Sequence, residues 1–288
     1  MLSQRLLLAQ NFLLHSARQL ERRLFAYHFT GSSLESAVSA LRAYQNPDGG
    51  FGDALEPDKR DPHSQPVDTE MALQILDQLG VFPAEIVRPA ADFLLSIATP
   101  EGGVPFVLPT ANDYPGMPWW RTEPNPPAAI NPTATLAGLL LKHRFEHPWL
   151  EQAVPFCWKV IEETETTQFH DIMPMLTFLQ HAPGRERAEA QIERIRARLR
   201  AADVIAYDPA AAGYAKFPPD WAPMPAHPLR VLFSDEVFQA HLDALAQRQQ
   251  PDGGWPINWE PISAVVAAEW RGWATLQALL TLRVYGYE

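Results

Sequence analysis

A chain of 288 residues that is 47% hydrophobic and 10% aromatic has ample material for a buried core, which excludes global disorder. Its 34 acids against 23 Lys and Arg leave a formal charge of −11, a field that repels phosphate backbones and argues against a nucleic-acid partner. The single cysteine, Cys157, excludes an internal disulfide framework and Cys-rich zinc sites, and its setting "AVPFCWKVI" reads as core.

The first segment, "MLSQRLLLAQNFLLHSARQLERR", has an apolar stretch broken by Gln10 and Asn11 that runs on with helical periodicity into charged sequence. This pattern predicts an amphipathic first helix over 2–28 rather than a signal peptide. No apolar run in the chain reaches the length of a membrane span, so a soluble, cytoplasmic protein is expected. Next, "SSLESAVSALRAYQ" (32–45) places Leu34, Val38, Leu41 and Tyr44 on one stripe, with Ser32 or Ser33 as N-cap. It ends at "PDGGF" (47–51). The same phrase returns as "PEGGV" (100–104) and as "PDGGW" (251–255), the last after "SDEVFQAHLDALAQRQ" (234–249), another capped amphipathic stretch. A Gly pair accepts the left-handed conformation that ends a helix, and the Pro ahead of it prevents continuation.

Pro47 and Pro100 are 53 residues apart, and Pro251 lies 151 further on, close to three more steps of about 50. After each phrase a long Pro-rich loop leads to a second helix. These are expected at "PVDTEMALQILDQLG" (66–80), "NPTATLAGLLLKHRF" (131–145), "FHDIMPMLTFLQHA" (169–182) and "SAVVAAEWRGWATLQALLTLRVYG" (263–286). Two intermediate units have lost the phrase, with "ETETTQF" (163–169) and "ADVIAYDPAAAGY" (202–214) in its place. The alternating charges of "RERAEAQIERIRARLR" (185–200) mark an exposed outer helix. The best strand signal, "GGVPFVLP", is too rich in Pro for a central strand. No Gly/Ser linker interrupts the chain. The expectation is therefore one all-α domain over 1–288, with five helical hairpins and the first helix giving about eleven helices, enough to close a ring.

Gln45-x-x-Asp48-Gly49-Gly50-Phe51 and Gln249-x-x-Asp252-Gly253-Gly254-Trp255 resemble the QW repeat of squalene–hopene and oxidosqualene cyclases, shared in looser form by protein prenyltransferase β subunits. The chain is also similar to bacterial prenyltransferase-like proteins. The resemblance implies an α/α toroid of five to six hairpins, inner helices around a central cavity and outer helices around those. It also implies that the phrase fastens neighbouring helices, so that Asp48, Glu101 and Asp252 are structural. The "QPVDT" of 65–69 matches the last two residues of the Asp-x-Asp-Asp-Thr motif of class II cyclases with Asp68 and Thr69, while Gln65 and Val67 replace its first two acids. Glu70 is a further acid here, though each step along a helix turns the side chain by about 100°. The zinc ligands of protein prenyltransferases and the Asp-Asp-x-x-Asp magnesium motif of class I synthases are missing, so no cofactor is expected, with Mg left open as an alternative that lacks a recognisable motif.

The loops gather acids and aromatic rings. The candidates for acid–base chemistry are Asp68, Glu56, Asp58, and the pair His170 and Asp171, the latter also suited to helix capping. The candidates for substrate binding are Trp119, Trp120, Arg121, Tyr214, Phe217, Trp259, Glu260 and Trp270. Three readings follow. Aromatic walls with a desolvated acid suit an isoprenoid-handling enzyme of the terpene cyclase/prenyltransferase type acting on a small hydrophobic ligand. Paired carboxylates with tryptophan platforms suit a carbohydrate-active enzyme. A toroid that has lost its chemistry suits a binder of a hydrophobic ligand.

Overall fold

In the computed structural model, which describes residues 2–287, the chain is all-α. The twelve α-helices among the described residues are α1 (Gln4–Ser16), α2 (Gln19–Thr30), α3 (Leu34–Arg42), α4 (Pro66–Gln78), α5 (Ala84–Ser96), α6 (Ile130–Lys142), α7 (Leu150–Glu163), α8 (Phe169–His181), α9 (Arg185–Ala201), α10 (Pro218–Trp221), α11 (Asp235–Gln247) and α12 (Ala264–Val284). Extended pairing among the described residues is limited to isolated bridges such as Phe51 with Gln65 and Lys59 with Gly116. No helix among them is long and apolar enough to cross a membrane.

Helix boundaries follow local chemistry. Ser234 caps α11 by accepting the Val237 N–H (3.3 Å), and Ser263 caps α12 by accepting that of Val266 (3.2 Å). The expected single helix over 2–28 is two helices instead. Ala17 and Arg18 are extended (ψ 164° and 163°), and the break is filled from both sides. A methyl on Gly272 of α12 would lie 2.7 Å from the Ala17 Cβ, so the two chains touch there. Arg18 then turns its guanidinium onto the fully buried carboxylate of Glu21 (Nε–Oε1 3.1 Å) and so compensates its burial. Helix α9 is as expected: Ala188, Ile192 and Ile195 are buried on one stripe, while Arg187 reaches out to Glu162 (2.6 Å).

The chain forms two compact units, one from Met1–Ala40 with Leu199–Glu288 and one from Leu41–Arg198. In the unit of 41–198, α6 packs against α4, α7 and α8. In the other, α12 packs against α1, α2 and α11, and α10 packs on α11.

The three Gly-Gly phrases adopt one geometry. In each, a backbone N–H ahead of the phrase meets the carbonyl of its second glycine: Asn46 to Gly50 (2.8 Å), Thr99 to Gly103 (2.9 Å) and Gln250 to Gly254 (2.9 Å). The first glycine is left-handed (φ 91°, 95° and 95°), and a Cβ there would strike the carbonyl oxygen of Pro89 at 2.2 Å, Gln152 at 2.5 Å or Leu8 at 2.1 Å. Only glycine meets both demands. A Cβ on the second glycine would strike the ring of Phe93 (2.7 Å), Phe156 (2.6 Å) or Phe12 (2.8 Å), each four residues further along the same helix. The following residue donates its N–H to a buried threonine: Phe51 to Thr69 (3.1 Å), Val104 to Thr133 (2.9 Å) and Trp255 to Thr275 (2.9 Å). Where Gln is present it spans the seam, Gln45 to the Ile86 carbonyl (2.9 Å) and Gln249 to that of Arg5 (3.0 Å). Each turn therefore binds one of α4, α6 and α12 through threonine, and one of α5, α7 and α1 through its glycines. Buried hydrogen bonds of this kind contribute about 1 kcal/mol each.

Candidate active site

Two assemblies stand out, one in each unit. In the unit of 41–198, the loop after the first phrase folds back on the start of α4. Gln65 N–H donates to the Phe51 carbonyl (2.8 Å), and Asp53 and Ala54 turn the chain through left-handed φ of 53° and 57°. Such strain is held only by a well-determined surround, here a second loop that binds the first: Met117 N–H donates to Asp58 O (2.9 Å), and Arg60 N–H to Pro115 O (2.8 Å).

The base of this loop is a buried polar node. Gln65 donates through Nε2 to Asp61 Oδ2 (2.6 Å) and Thr110 Oγ1 (2.8 Å), and its Oε1 accepts the Leu108 N–H (2.8 Å). Thr110 Oγ1 donates to Asp61 Oδ2 (2.8 Å), and the His63 N–H to Asp61 Oδ1 (2.9 Å). Burial alone would lift the Asp61 carboxyl, but the bonds from His63, Thr110 and Gln65 together hold it below the usual range. Gln65 is thus a structural tie.

Above the node, Asp68 is fully buried and ion-paired with Lys59, itself 1% exposed, while its Oδ1 accepts the Glu56 N–H (2.7 Å). Burial raises the Asp68 carboxyl, and the Lys59 ammonium and the Glu56 N–H pull it back. Asp58 is also buried. Glu56 differs. It is half-buried, and its Oε1 accepts the Asp58 N–H (3.3 Å). Enclosure by protein, reinforced by the charges of Asp68 and Asp58 and opposed by Lys59, pushes its carboxyl up to about 8. Glu70, also half-buried on α4, turns towards Thr135 of α6, and burial pushes it up to about 7. Lys59 Nζ lies 5.8 Å from the Trp120 ring centroid, and Trp120 stacks on Phe106 (5.0 Å, 13°) beside Val67 and Met117. Glu56, Asp58, Asp68 and Trp120 are therefore brought together.

The other candidates of this unit lie elsewhere. Trp119 is 49% exposed. Arg121 spends its guanidinium on backbone carbonyls of Asn112 and Tyr114, closing its own loop. His170 is exposed with its ring against Phe169 (5.2 Å), and Asp171 accepts the hydroxyl of Thr166 (3.0 Å), bracing the turn into α8.

In the unit of 1–40 and 199–288, a cleft of about 510 Å³ opens between the 209–220 loop, α11, the third phrase and α12. Of the candidates, Phe217 and Trp259 line it. Trp259 packs edge-on against Trp270 (5.1 Å) and Tyr214 (6.1 Å), whereas Glu260 is exposed. Lys59, Lys216, His241 and Arg248 are the functional-looking residues that sequence reasoning did not select. Of these, Lys59 carried a usable signal, as a cation set among the acids of "GDALEPDKRDPH". Among the described residues no group of three or more His, Cys, Asp or Glu is placed to hold a metal ion.

Fold and sites define an all-α protein of fastened helices with an enclosed acid–lysine cluster. Neither family models nor curated proteins match the chain. Among solved structures, the crystal structure of a protein from Actinoplanes is similar over 98% of this chain and 98% of that one, with a TM-score of 0.57 at 18% identity. This likeness speaks for the fold alone.

Proposed function

We propose that the chain is an isoprenoid-handling enzyme of the terpene cyclase and prenyltransferase type, its hairpins curled into an α/α toroid, with Glu56 delivering the initiating proton. The observation that carries the reading is the contrast between Glu56 and its neighbours. Asp68 and Asp58 are sealed, whereas Glu56 keeps part of its surface open and, pushed up to about 8, holds its proton at neutral pH. Asp68 then serves as an anchor, fixing the Glu56 backbone through Oδ1 and Lys59 through Oδ2. The Trp120–Phe106 stack supplies ring faces that attract positive charge, as the placement of Lys59 illustrates. The thrice-repeated turn, with a Gln spanning to the neighbouring helix in two of its copies, supports the toroid.

The test is incubation of purified protein with squalene, oxidosqualene and geranylgeranyl diphosphate, with products read by gas chromatography and mass spectrometry. Glu56→Gln is expected to lower product formation at least 100-fold, the low end of general-acid contributions. Full turnover by this variant removes Glu56 from the role, and a wild-type protein inert towards all three substrates removes the class. A second reading, a binder of a hydrophobic ligand without chemistry, draws on the Lys59 ammonium that neutralises the motif's remaining acid.

A further inference from the structure

The cleft of the unit built from both chain ends lies in a protein of net charge −11, yet its lining reverses that sign. Asp220 is the sole carboxylate among the described residues that line it, against Lys216 and Arg248. Burial raises the Asp220 carboxyl, whose Oδ2 accepts the Phe217 N–H (2.7 Å), and burial lowers the His241 imidazole. Two cations against one carboxylate leave the lining with an excess of positive charge. Arg248 is held in place: its Nη2 donates to the Pro209 carbonyl (2.8 Å), and its guanidinium lies 4.1 Å from the centroid of the Phe217 ring. A guanidinium fixed in this way presents its remaining edge with little further loss of freedom.

The rest of the wall is mostly apolar, with Asn258, Gln277 and Thr281 as its polar members. Phe217, Trp255 and Trp259 contribute rings, and Ala274 and Ala278 of α12 keep the opposite side shallow. Trp259 carries a buried indole N–H that makes no hydrogen bond among the described residues, whereas the indole of Trp255 is already spent on the Leu245 carbonyl (2.7 Å). A volume of about 510 Å³ falls within the range that encloses small organic ligands.

We propose that this cleft binds a small organic anion with a flat apolar or aromatic body, its ring between the aromatic walls and its single carboxylate or phosphate on Arg248 and Lys216. The site is separate from the acid cluster around Glu56 and stands or falls without it.

The test uses the full chain and reads tryptophan fluorescence on titration with 2-naphthoate, 2-naphthyl phosphate and the neutral 2-naphthalenemethanol. Saturable binding of at least one anion is expected, at least tenfold tighter than the alcohol, and the tighter of the two names the anionic group. Arg248→Gln is expected to weaken the anion at least tenfold while leaving the alcohol unchanged. Lys216→Gln, at a half-buried position on the loop, carries the same comparison should Arg248→Gln fail to fold. The proposal is overturned if neither anion binds saturably, if the alcohol binds as tightly as the anions, or if a folded variant binds the anion as the wild type does.

Discussion

Replacing Lys59 by methionine removes the cation from a pair whose side chains are 1% and 0% exposed, and leaves Asp68 with the Glu56 N–H. At an ordinary contact of about 3 Å and an effective dielectric constant of about 20, the lost attraction is roughly 5 kcal/mol. Breaking buried pairs by removing one partner costs about 3–5 kcal/mol, because the orphaned charge stays desolvated. The sign of the pH effect follows. Without Lys59 the folded carboxyl lies further above its unfolded value, so folding favours the protonated form and the penalty grows as pH rises. Lys59→Met is therefore expected to lose about 3–5 kcal/mol in urea denaturation at pH 7.5 and less at pH 5. Adding Asp68→Asn, which removes the stranded charge, is expected to recover most of the loss. A single variant within about 1 kcal/mol of wild type, or a double variant no more stable than the single, refutes the account of a buried pair holding the loop to α4.

Three further outcomes are expected. The native Glu56 carboxyl, at about 8 against an ordinary 4.5, keeps a proton that the unfolded chain has shed. Wild-type stability should thus fall as pH rises across that window, and Glu56→Gln should flatten the dependence in denaturation midpoints measured from pH 4.5 to 8. Gly49→Ala and Gly80→Ala both place a methyl at positive φ, 91° and 73°, but the first lies 2.2 Å from the Pro89 carbonyl oxygen and the second in open space. Calorimetry should show a loss of about 1 kcal/mol for Gly80→Ala and several-fold more for Gly49→Ala. Cys157, fully buried and with burial pushing its thiol up, should resist a thiol reagent in native protein and react promptly in denaturant.

The second helices of the expected units are legible from their apolar residues. The stretches at 66–80 and 169–182 match α4 and α8 to within two residues. The phrase was legible as a helix terminator, and its glycines do adopt positive φ, but its grip on threonines 69, 133 and 275 joins residues 18 to 29 apart that no local pattern couples. Helices α5 and α7 are less legible, since Pro89 and Pro155 stand inside them and proline ordinarily signals an end. The break at Ala17 depends on a contact with Gly272 and leaves no mark in the helical periodicity. At the site, Glu56, Asp58 and Asp68 were found because carboxylates near a recognisable motif attract notice. The pairing of Lys59 with Asp68 was not, because an irregular loop has no period to say which acid a lysine meets. In the cleft, His241 falls among the apolar residues of α11 and is 3% exposed. Arg248, just past the end of that helix, belongs to the cleft only through the 209–220 loop that closes over it.

The third turn has a consequence for biosynthesis. Its glycines and Gln249 grip α1, whose Arg5 emerges from the ribosome 244 residues earlier. At translation rates of about 5–20 residues per second, α1 waits roughly ten to fifty seconds for its clasp. The continuous stretch 41–198 is complete long before then and is free to fold as it emerges. Helix α1, with Leu7 and Leu14 more than half exposed even in the finished protein, spends that interval with its apolar side chains uncovered by the third turn.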